Sequence, residues 1–203
     1  TGSSTISAGT ISGAQSNVTL QALHRITFNS AINIVKSGVG LTALAGESIV
    51  VNAPISAQGG NITLSANDAT GGSAYGLGSD VVLHAGINTY GGAAYLSGAS
   101  ITSNGSGWVN VGNGNLTLRA NNALGGINLG GGGDQLLGSG AYGQLVTLQA
   151  DNVSFGGRLG FGGASGYAEV IVKPLTAGRQ VTVGSKPGNG LGLTNDELNS
   201  ISA

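Results

Sequence analysis

Eight carboxylates are the groups in this chain with the most scope for acid–base or metal chemistry: Glu47, Asp68, Asp80, Asp134, Asp151, Glu169, Asp196 and Glu197. A glycosidase needs two of them about 5 to 9.5 Å apart. A Ca²⁺ site needs several oxygens converging on one point. Asp68 in SANDAT and Asp151 in QADNVS follow equivalent phrases, so both are expected in the same turn, with Asn122 filling the matching place between them. Asn and Asp both tolerate turn geometry, which makes a turn role the better reading of these positions. Asp80 lies in GLGSDVV (76–82), close to the Ca²⁺-binding nonapeptide GGxGxDxUx. Tyr75 stands where that motif opens with Gly, and the tandem copies that build stacked half-sites are missing.

The other chemical signals reduce to structure in the same way. GSGAYG (138–143) fits GxGxxG but runs into an apolar alternating stretch, Gln144 to Ala150, so no helix N-terminus follows to hold a phosphate. His24 has no Asp, Ser or Cys beside it for a triad, and neither His24 nor His84 has a second ligand at metal spacing. His84 takes the variable position held elsewhere by Gln21, Ser65, Arg119 and Gln149, which is expected to face outward. Asn17, Asn61, Asn104, Asn115 and Asn152 each begin an N-x-S/T triplet, but Asn17, Asn61 and Asn115 simply precede a repeated strand phrase. No catalytic residue, cofactor or metal ligand is assigned. The one candidate binding surface is aromatic: Tyr75, Tyr90, Tyr95, Trp108 and Tyr142 lie in or beside Gly-rich stretches, where rings stack on sugars or, more commonly, cover a shaft.

The element that must carry these residues is a repeated phrase. VTLQA (18–22), ITLSA (62–66), VVLHA (81–85), LTLRA (116–120) and VTLQA (146–150) share one core, and IVVNA (49–53) is a variant of it. Each alternates apolar and polar residues with period two, the pattern of a strand buried on one face. Leu20, Leu64, Leu83, Leu118 and Leu148 are predicted to point into one core, and the small Ala that follows marks a tight corner. The spacing between these leucines fits coils of about 20 residues with Gly-rich insertions, as in Gly125 to Gly143. The predicted fold is all-β: a right-handed parallel β-helix of about ten coils, a single segment over 1–203. One short C-terminal helix is expected, because Thr194 and Glu197 have capping-box spacing and Leu198 and Ile201 would share a face.

Composition agrees. Gly occupies 40 positions, yet 40% of residues are apolar and only 7% are charged, which favours ordered strands with Gly-rich turns over a disordered linker. The net charge of −1 and seven scattered basic residues offer no footprint for nucleic acid. No apolar run reaches the roughly 18 residues of a membrane span. Cys is absent, so no disulfide framework exists. The opening TGSSTISAGT is unlike a signal peptide, and the chain is expected to be excised or processed from a longer one.

SIVVNAPISAQGGNITLSAND (48–68) resembles the repeat region of filamentous-haemagglutinin-like exoproteins of the two-partner secretion system. GRQVTVGSKPGNGLGLTNDELNSISA (178–203) is similar to a module recurring in them. The resemblance implies a β-helical shaft, an extracellular or bacterial cell-surface location, contact with a host or cell-surface glycan or protein, and an outer-membrane transporter partner for the parent chain. The function expected is a non-catalytic structural or adhesive segment. The rivals are a subunit of a self-assembling filament, since open β-helix ends are unpaired strand edges, and a polysaccharide-active enzyme.

Overall fold

Alternating apolar residues build strands here, and Gly, Asn and Ser build the corners between them. The computed structural model describes residues 4–69, 78–130, 135–138, 143–161, 169–187 and 190–202. Among the described residues it is almost entirely parallel β, with three stacks of strands visited in rotation and, near the C-terminal end, a separate two-stranded parallel sheet of Val181–Gly184 and Leu191–Thr194. The first face comprises Val18–Ala22, Leu41–Ala45, Ile62–Ser65, Ala94–Gly98, Leu116–Ala120, Leu145–Gln149 and Glu169–Lys173. The second runs Ile26–Phe28, Ile49–Val51, Val81–Leu83, Ile101–Ser103, Ile127–Leu129 and Val153–Phe155. The third runs Ile32–Ile34, Ile55–Ala57, Ile87–Asn88, Trp108–Asn110, Gln135–Gly138, Arg158–Phe161 and Ile201–Ser202.

Among the described residues the stack therefore has six complete three-strand turns and a partial seventh, against about ten expected. Three strands and three corners need more chain than the repeated phrase alone suggests. First-face partners Val18, Leu41, Ile62, Ala94, Leu116, Val146 and Val170 are 21 to 24 residues apart, except for two steps of 32 and 30. The long steps fall in the third and fifth turns. The Gly125–Gly143 stretch is not a pure insertion, because it contributes the strands Ile127–Leu129 and Gln135–Gly138.

Four of the five predicted leucines share one row. Leu20, Ala43, Leu64, Leu96, Leu118, Leu148 and Val172 are successive register partners on the first face. Leu83 lies on the second face between Val51 and Ser103, so VVLHA is not a copy of the first-face strand. All five nevertheless meet in a single apolar cluster, fully buried for the interior turns and partly buried for Leu20 in the first. The corner alanines Ala45, Ala66, Ala120 and Ala150 are fully buried behind them.

A column of close approaches explains part of the glycine content. Val39, Gly60, Gly92, Gly114 and Gln144 stack where the third face turns into the first, one residue before the register-paired positions 40, 61, 93, 115 and 145. A Cβ on Gly114 would lie 2.0 Å from the Gly92 carbonyl oxygen, and one on Gly92 would lie 2.2 Å from that of Gly60. Gln144 donates its side-chain N–H groups to the carbonyls of Gly112 and Gly114 at 2.8 and 2.7 Å.

The described residues hold two helices where one was expected. Ala8–Ser12 packs across the third-face strand of the first turn, with Ile11 5% exposed in the core and the Ser12 hydroxyl accepting the Asn33 N–H at 2.9 Å. The C-terminal helix spans Asn195–Asn199 and has the predicted reciprocal cap between Thr194 and Glu197. Ile201 lies beyond it, in the third-face strand paired to Leu159, so it does not share a helical face with Leu198. Among the described residues no helix is long and apolar enough to cross a membrane.

Candidate functional site

Of the sequence-derived aromatic candidates, Tyr90, Tyr95 and Trp108 lie among the described residues, at a corner, on the first face and on the third face. Tyr75 and Tyr142, with Asp134, lie outside the described residues. Tyr90 sits at a corner with φ +50° and is 56% exposed. Tyr95 faces outward on the first face, half-buried between Thr63 and Thr117. Trp108 opens a third-face strand, and its indole packs on the backbone of Gly86, where a Cβ would meet the ring at 2.0 Å. The indole is thus committed to packing between turns.

The carboxylates and histidines work mainly between turns. His24 Nδ1 is 2.9 Å from Glu47 Oε1, one turn above it. His84 is exposed, as expected, but its neighbour is Asn52 Oδ1 at 3.0 Å in a column that continues to Asn29, because it follows a second-face strand. Asp80 accepts the Ser100 N–H at 2.8 Å. Asp68 accepts the Ser65 hydroxyl at 2.5 Å. Asp68 and Asp151 do occupy the same corner, one position out of step, in the third and sixth turns. Three layers at about 4.8 Å put them about 14 Å apart along the stack, beyond the reach of a paired acid and base. Among the described residues no three His or acidic groups gather as metal ligands. The sequon asparagines serve the ladder: Asn17, Asn61 and Asn115 accept the N–H of Gly40, Ala93 and Leu145, each one turn on, at 2.8 to 2.9 Å.

Two buried carboxylates organise the last turn. Asp151, 3% exposed, accepts the N–H groups of Leu175 and Thr176 at 3.0 and 2.9 Å, and lies 3.5 Å from the Arg179 guanidinium. Glu197, 5% exposed, closes the second face. That face stops at Val153–Phe155 because side chains take the place of a seventh strand. Glu197 Oε1 accepts the Phe155 N–H at 3.3 Å, Lys186 Nζ donates to the Val153 carbonyl, and the two charges meet at 2.7 Å. The ion pair supplies one acceptor and one donor to an edge that would otherwise be bare. Neither partner was legible as a site, since both sit far from Val153 in the chain.

Burial alone would raise both carboxyls. For Asp151 the bonds from Thr176 and Leu175 and the Arg179 charge outweigh it, and for Glu197 the Lys186 ammonium and Thr194 do, so both titrate below the ordinary carboxylate range. Groups held low in the folded state contribute stability above their unfolded values and lose it as pH falls through the folded ones. The chain is therefore expected to weaken progressively below about pH 4. Glu197→Gln should flatten that decline, as read from urea melts at pH 7, 4 and 3.

Compared with known proteins, the chain matches no family model, no curated protein and no solved structure.

Proposed function

We propose that the chain is a non-catalytic shaft segment of a secreted bacterial surface exoprotein, displayed outside the cell. One observation carries this reading: His24, Glu47, Asp80 and Asp151 stitch adjacent turns, Lys186 and Glu197 close an edge, and the buried carboxylates are spent on backbone N–H groups and cations. The resemblance to filamentous-haemagglutinin-like repeats supports the location and an outer-membrane transporter for the parent chain. Any contact with a host or cell-surface glycan or protein falls to exposed corners such as Tyr90. The filament alternative is disfavoured by the helix Ala8–Ser12, which lies across the first turn and plugs its core with Ile11. Open-ended growth would have to displace it.

Seven layers at about 4.8 Å give a segment about 34 Å long. Sedimentation across a wide concentration range should show a particle of finite size with no turnover of a polysaccharide panel. Growth into long fibres would replace this reading with the filament, and turnover would replace it with an enzyme.

A further inference from the structure

Gly86, Asn88 and Tyr90 lie in line on the outside of the third face. Burial alternates along this stretch: Ile87 and Thr89 are fully buried, Asn88 is half-buried and Tyr90 exposed. One turn on, Trp108 and Asn110 stand opposite Gly86 and Asn88. A Cβ on Gly86 would lie 2.0, 2.3 and 2.5 Å from Cε2, Cζ2 and Nε1 of Trp108. Cε2 is bonded to both of the other atoms, so these distances place the point over the face of the ring and not off its edge. The indole therefore lies flat on Gly86, and this packing uses one of its two faces. The half-buried side chain turns the other outward. Asn88 Oδ1 accepts the Tyr90 N–H at 3.0 Å and Asn110 Oδ1 the Gly112 N–H at 2.9 Å, so the same turn is built twice. In it Gly112 has φ +53°, which suits glycine, whereas Tyr90 has φ +50°, which a bulky side chain rarely adopts. The turn does not need a tyrosine, and the core does not hold its ring. Neither Asn88 Nδ2 nor Asn110 Nδ2 has a partner among the described residues.

We infer that a linear oligosaccharide of neutral pyranoses binds across the third face at the third and fourth turns, one ring on the outer face of Trp108 and another against Tyr90. Each aromatic offers a large rigid apolar face, which suits the C–H face of a sugar ring. Gly86 and Tyr90 are four residues apart, about 13 Å along extended chain, a span of about two or three linked rings. Asn88 and Asn110 lie between the aromatics, where their amide N–H groups would donate to sugar hydroxyls. Their row, Asn33, Ser56, Asn88 and Asn110, carries no charge. A cationic side chain placed over the indole would find no carboxylate in that row, and a neutral polyol needs none. The site lies within the stack, with turns on both sides. The shaft reading, on which this site rests for its ligand class, leaves glycan contact to exposed corners such as Tyr90.

Trp108 is the single tryptophan of the chain, so its emission reports on this site alone. Titration with cellohexaose, chitohexaose and laminarihexaose should give a saturable blue shift with at least one of them, and tetralysine should give none. Tyr90→Gly replaces the strained residue with the one that the equivalent turn carries at Gly112. Its melting temperature should hold or rise, while the dissociation constant of the bound hexasaccharide increases roughly tenfold. That opposition separates a binding role from a structural one, because a ring needed for folding would lower both. No shift with any hexasaccharide, a shift with tetralysine alone, or undiminished binding by Tyr90→Gly would each overturn the sugar site, while the shaft, judged by sedimentation, would stand. Cleavage of a bound hexasaccharide would overturn the shaft reading instead.

Discussion

Leu118→Ala is expected to lower the unfolding free energy by about 2–5 kcal/mol, the range for a buried leucine that leaves a cavity. Leu118 is fully buried between Leu96 and Leu148 in the first-face row. The turns above and below are fixed by their own ladders, so the hole cannot close by local collapse. Leu20→Ala is the internal control. Leu20 has a neighbour in the row on one side, Ala43, and is only partly buried, so its loss should fall well below that of Leu118. Urea melts of the two variants decide it. Equal effects, or a neutral Leu118→Ala, would mean that the row does not run as described.

A second large effect is expected at Gly114. An alanine methyl there would sit 2.0 Å from the Gly92 carbonyl oxygen and 2.4 Å from its carbon. Both are backbone atoms of the adjacent turn, held by the ladders on either side. The clash cannot be relieved by turning a side chain, and the Gly114 carbonyl is also tied to Gln144. Gly114→Ala should cost roughly 3 kcal/mol or more. Gly38→Ala separates this from ordinary glycine effects, because Gly38 has φ +75° and open space around it. There the penalty is backbone strain alone, about 1–2 kcal/mol. If thermal melts place Gly114→Ala no lower than Gly38→Ala, the close approach of the turns is not as tight as the stack requires.

Period-two alternation made the strand phrases legible, and with them the inward leucines and the parallel stack. It could not say which face a phrase belongs to. Val81–Leu83 and Leu116–Ala120 obey the same inward–outward rule, because every face of a three-sided stack buries one side of its strands. Conversely, Leu41–Ala45 and Ala94–Gly98 belong to the first-face row but carry Ala43 or end in Gly98, so the phrase hid them. The turn count failed because a coil of about 20 residues was assumed throughout, whereas the steps are 21 to 24 residues with two of 32 and 30. The C-terminal helix was legible from its local cap, whereas AGTIS has weak helix formers and is held in place by burying Ile11. The aromatic residues looked alike beside their glycines. Only packing distinguishes Trp108, seated on Gly86, from the exposed Tyr90.

The rotation of the chain through three faces, one layer per turn, has a mechanical consequence. The first and last turns lie at opposite ends of the stack, and each turn is held chiefly to its immediate neighbours. Tension along the stack therefore loads one layer at a time. A turn of 21 residues, the step from Leu41 to Ile62, occupies about 4.8 Å when folded but about 70 Å when drawn out. Each layer that peels away thus lengthens the tether more than tenfold over its folded height. Under pulling force the molecule would yield in discrete steps, absorbing work while the layers behind the break stay folded.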